Sequence, residues 1–79
     1  MIITFYIKYT NKIIEFSGEN IEYKLNNDVG LFYIRITEDK STNDMTVNKV
    51  SMYMIPYDII EDLIINGKHV ILIRRKRYE

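Results

Sequence analysis

The feature that most constrains this chain is a two-residue alternation of apolar and polar side chains, restarted several times between short clusters of turn-forming residues. Ile3, Phe5, Ile7 and Tyr9 alternate with Thr4, Tyr6, Lys8 and Thr10. Period two is the signature of a strand with one buried face. Thr10-Asn11 interrupts the run and Lys12 to Phe16 resumes it, which reads as a hairpin with Asn11 near the tip. Ser17-Gly18-Glu19-Asn20 is turn chemistry again. Ile21, Tyr23 and Leu25 then alternate with Glu22 and Lys24, and Asn26 to Gly30 forms a loop tolerant of positive φ. From Leu31 to Thr37 a further strand carries Phe32, Ile34 and Ile36 on one face and Tyr33 and Arg35 on the other. The stretch Glu38 to Asp44 is polar throughout and reads as a mobile loop. Met45 to Ile55 is a fifth strand, with Val50, Met52 and Met54 on one face and Tyr53 on the other.

Residues 56–67 admit two readings. Pro56 suits a first helical position, and Asp58, Glu61 and Asp62 suit the positive N-terminal end of a helix. In a helix over about 56–65, Ile60, Leu63 and Ile64 share one face and Gly67 is the left-handed stop. The rival is a hairpin, because Asn66-Gly67 between apolar runs is a strong type I′ signal. Three acids and a proline early in the segment favour the helix. A final strand over about 69–75 follows, and Val70 to Ile73 is apolar on both faces, as in a central strand. The expected fold is mainly β (α+β). It is a meander of five strands, a short helix and a returning strand, about six strands in all. It forms either a single antiparallel sheet with the helix on one face or a small barrel, SH3-like in having a helical turn before its last strand.

With 79 residues the chain has room for one domain, 1–79, with a basic C-terminal tail over 74–79. A chain of this size buries only about 60% of the surface its unfolded form exposes. It has no cysteine, so disulfides and thiolate metal sites are excluded. No apolar run approaches the roughly 20 residues of a membrane span. The first residues lack a basic region and a small-residue cleavage site, so a cytoplasmic protein without a membrane is expected. Fifteen Ile and seven each of Asn, Lys and Tyr, against no Ala, Gln or Trp, match codons rich in A and T. The same bias removes the best helix former and enriches β-branched and aromatic residues.

The formal net charge is zero, but it is unevenly spread. Residues 1–67 hold six basic and ten acidic side chains, while 68–79 hold five basic and one acidic. Arg74-Arg75-Lys76-Arg77 followed by Tyr78 can grip phosphates and stack a base, or dock on an acidic partner. It can equally guard the last strand against edge pairing. Glu38, Asp39 and Asp44 in the expected loop, with Asp58, Glu61 and Asp62, form a candidate acidic partner-binding patch. Tyr6, Tyr23, Tyr33 and Tyr53 form a candidate aromatic contact row. His69 is the only histidine, and local spacing gives it no partner. No pattern of acids matches a calcium loop, no serine sits in a nucleophile elbow, and the three glycines are isolated. No catalytic, metal or cofactor site is therefore expected.

The expected function is a non-enzymatic protein-binding module from an AT-rich bacterium or its phage. One specific form is an inhibitor of a host or defence protein, such as a CRISPR effector. Nucleic-acid binding through residues 74–78 is the first alternative. A self-associating structural protein, with a homo-oligomer held by opposite charges, is the second.

Overall fold

A computed structural model of the chain describes residues 1–42 and 45–73, with side chains outside 40–47. Seven strands form in chain order: β1 (Ile2–Ile7), β2 (Ile13–Ser17), β3 (Ile21–Asn26), β4 (Leu31–Thr42), β5 (Met45–Pro56), β6 (Ile60–Ile65) and β7 (Lys68–Val70). They make two antiparallel sheets, one ordered β2-β1-β6-β7 and the other β3-β4-β5.

The alternation of the sequence explains how the sheets stack. In the four-stranded sheet Ile3 lies between Phe16 and Ile65, and Phe5 between Ile14 and Leu63. In the three-stranded sheet Phe32 lies between Leu25 and Ile55, and Ile34 between Tyr23 and Tyr53. These rows face each other as a sandwich. Phe5 meets Phe32 edge-on at 6.5 Å, and Phe16 meets Tyr53 at 5.0 Å. The buried cluster joins Ile3, Phe5, Leu63 and Ile65 of one sheet to Ile21, Phe32, Ile34 and Ile55 of the other. The mainly β class holds, but the expected single sheet or closed barrel of about six strands gives way to two stacked sheets of seven. Aromatic and β-branched side chains on the inner rows supply a face for each sheet to cover the other.

The expected helix over 56–65 does not form. A single 3-10 turn, Tyr57–Ile59, carries the chain from one sheet to the other, and Ile60–Ile65 is strand. Ile60, Leu63 and Ile65 are buried, while Glu61 is exposed. A bulge at Glu61 absorbs the mismatch, because Tyr6 faces Asp62 whereas Ile7 faces Ile60. Asn66 and Gly67 take φ of 51° and 79°, the signs of a type I′ turn. The rival hairpin is thus the fold. A row of β-branched Ile beside β1 gains a sheet position between two neighbours, and that outweighs the helical preference of the acids and Pro56.

Two other expectations change. The polar stretch 38–44 is not a loop: β4 runs to Thr42 and β5 starts at Met45. Beyond the pair Ile36↔Ser51 these strands have, among the described residues, no third strand beside them. Six further pairs, from Thr37↔Val50 to Thr42↔Met45, form a two-stranded ribbon about 20 Å long. Glu38, Asp39, Asn48 and Lys49, whose side chains are described, are all exposed there, so this part needs no apolar alternation. The last strand is also shorter and less central than expected. β7 ends at Val70 and lies at a sheet edge, and residues 71–73 belong to no strand. Positions 74 and 75 of the expected strand lie outside the described residues.

Tyr57 closes the join between the sheets. Its ring is buried, its hydroxyl donates to Asn27 Oδ1 at 2.8 Å, and its amide donates to the Gly30 carbonyl at 2.8 Å. Burial raises the pKa of its hydroxyl above the ordinary tyrosine value.

Candidate functional site

The register that puts Ser51, Tyr53 and Ile55 on the inner face of β5 turns Val50, Met52 and Met54 outward. Met52 and Met54 are 68% and 67% exposed, and Val50 is 51% exposed. They stand beside β4 residues on the same face: Tyr33 opposite Met54, Arg35 opposite Met52 and Thr37 opposite Val50. Across β4, Lys24 stands opposite Tyr33 and Glu22 opposite Arg35. A shallow groove runs over this face between Glu22, Lys24, Tyr33, Arg35 and Met52. The Arg35 Nε to Glu22 Oε2 distance is 3.9 Å between exposed side chains, a loose pair of small energetic value.

The chemistry of this face is contact chemistry. Single exposed apolar residues are ordinary, but a row of three beside a tyrosine is a patch. Methionine is flexible and polarisable and adapts to a partner's shape. Tyr and Arg are the residue types enriched at interface centres. The strand that carries the row, β5, is also an edge strand, with no strand on its other side among the described residues.

The residues singled out in the sequence are dispersed. Tyr33 is partly buried on the outer face just described, whereas Tyr6 is on the outer face of the other sheet between Ile13 and Asp62. Tyr23 and Tyr53 lie on the inner rows. Tyr23 packs edge-on to Phe32 at 6.1 Å and Tyr53 against Phe16. The four tyrosines therefore form no single row: Tyr23 and Tyr53 flank Ile34 on one face, and Tyr6 and Tyr33 lie on two others. The acids are divided as well: Glu38 and Asp39 are exposed on the β4–β5 ribbon, Asp58 sits in the 3-10 turn, and Glu61 and Asp62 are on β6. Without a helix, Asp58, Glu61 and Asp62 have no common helical face. Asp44 lies outside the described residues, as do Arg74, Arg75, Lys76, Arg77 and Tyr78.

His69 gains a partner that local spacing did not show. Its Nδ1 is 3.2 Å from Asp62 Oδ1, with both side chains partly in solvent. The hairpin around Asn66-Gly67 pairs Ile64 with His69, which puts Asp62 on the neighbouring diagonal. The Asn-Gly turn was the signal that pointed to this contact. Among the described residues, no three potential metal-ligating side chains converge, and no helix is long and apolar enough to cross a membrane. No family model matches this chain, and no curated protein or solved structure shows significant similarity to it.

Proposed function

We propose that this chain is a non-enzymatic protein-binding module that engages its partner through the outer face of β3-β4-β5. The observation that carries the reading is the outward row Val50, Met52 and Met54 on an edge strand, beside Tyr33 and Arg35. The partner this face fits has a mixed surface, with an apolar centre for the methionines and polar groups for Arg35, Lys24 and Glu22. Inhibition of a host or defence protein is the specific form of this role that small size and an AT-favoured composition support.

The test is capture of a stoichiometric partner from the natural host by the full chain and by two surface variants. Met52→Lys combined with Met54→Lys is expected to abolish capture. Ile13→Lys, on an exposed position of the other sheet, is expected to leave it intact. Capture that survives the double methionine variant refutes the assignment of this face.

A further inference from the structure

Residues 68–73 keep a strand's alternation past the point where β7 ends. Val70 and Leu72 pack toward the core, while Ile71 and Ile73 are 89% and 61% exposed. The β6–β7 ladder runs Ile65↔Lys68, Ile64↔His69, Leu63↔Val70 and goes no further. Among the described residues, nothing pairs with Ile71 to Ile73. A β-branched, apolar segment at a sheet edge is a template for another strand.

We propose that this edge pairs with the same edge of a second copy, joining two four-stranded sheets into one continuous sheet across a two-fold axis. The edge is its own complement. A two-residue type I′ turn makes Ile65 and Lys68 a hydrogen-bonded pair, and alternation then aims the N–H and C=O groups of His69 and Ile71 at the open side. Antiparallel pairing centred on Ile71 sets Ile71 against Ile71 of the other copy on the outer face and Val70 against Leu72 on the inner face. This register matches apolar side chains to apolar side chains, whereas a slip by one residue would not keep the faces together. The contact is narrower than a standard interface of about 800 Å² per partner, so the dimer is weak. In sequence Lys68 precedes this segment and Arg74-Arg75-Lys76-Arg77 follows it, so antiparallel pairing sets like charges of the two copies against each other and screening strengthens the dimer.

Sedimentation equilibrium of the full chain, from about 10 μM to about 1 mM, tests the proposal. The expected result is a concentration-dependent dimer that tightens as salt rises. Ile71→Lys and Ile71→Pro, the second of which deletes the central edge N–H, are each expected to weaken it at least about tenfold, a change of about 1.4 kcal/mol. Position 71 is exposed and outside the β6 ladder, so both variants retain the fold, checked by thermal melts at low concentration. The Met52→Lys and Met54→Lys pair leaves the dimer unchanged, which separates this contact from the partner-binding face. A monomer throughout, even at high salt, overturns the proposal. So does a dimer indifferent to both Ile71 variants. A dimer that dissociates as salt rises also overturns it and points to docking of the basic tail on an acidic surface.

Discussion

Asn66 offers a test in which two folds of one segment predict opposite signs. In the hairpin it takes φ of 51°, its Oδ1 accepts from the Ile2 amide at 2.9 Å, and its own amide donates to the Ile2 carbonyl at 2.8 Å. It therefore holds the turn and ties it to β1. Asn66→Gly keeps the left-handed conformation and loses one exposed side-chain hydrogen bond, a cost of about 0.5–1 kcal/mol. Asn66→Ala loses the same bond and adds about 1–2 kcal/mol for a Cβ in the left-handed region, about 1.5–3 kcal/mol in total. Asn66→Asp keeps an acceptor and a residue type that tolerates this conformation, and is expected to stay close to the parent. A 79-residue domain has a stability of roughly 4–12 kcal/mol, so the Ala variant removes a large share. At about 4–8 °C per kcal/mol its Tm falls by roughly 6–24 °C. Urea and thermal melts followed by circular dichroism provide the measurement. If residues 56–65 were a helix, Ala at this site would instead be better than Gly. A ranking with Ala at or above Gly would refute the hairpin reasoning.

Other outcomes follow from the same geometry. Leu63 is fully buried between Phe5 and Val70 rows, so Leu63→Ala is expected to cost about 3–5 kcal/mol and to lower the urea midpoint sharply. Tyr57→Phe removes the hydroxyl that donates to Asn27 and leaves the ring packing, at a cost of about 1 kcal/mol near neutral pH. Because burial raises the Tyr57 pKa above its unfolded value of 10.0, its contribution is present below that pH and is lost as pH rises through the folded value. The stability of the parent is therefore expected to fall above pH 10.0 more steeply than that of Tyr57→Phe, measured by urea melts across that range. Hydrogen exchange is expected to be faster at amides of 38–42 and 45–49 than at 32–36 and 51–55, because among the described residues the ribbon has two strands where the rest of the sheet has three. Equal protection in both stretches would show that a partner or second copy supports the ribbon.

What the sequence determined by itself is the strand periodicity. Ile3 and Phe5, Ile21, Phe32 and Ile34 form the core because apolar residues two apart must share a face, and that holds whichever sheet they enter. The Asn66-Gly67 pair was legible as a turn for a local reason, since few residue pairs accept two positive φ values. The choice between helix and hairpin over 56–67 was not local. It depended on whether Ile60, Leu63 and Ile65 could lie beside β1, which no residue within the segment encodes. The ribbon over 37–50 was hidden for a related reason, because a strand pair with no third strand beside it among the described residues can be polar throughout and then has the composition of a loop. Periodicity placed Val50, Met52 and Met54 on one face and Tyr53 on the other without saying which face is inside. The stacking of the two sheets decided it: Tyr53 found Phe16 across the sandwich and the methionines were left outside. The candidate contact surface is therefore a tertiary product. Alternation specifies which side chains travel together, and only the packing of one sheet on another specifies which of the two sets meets solvent.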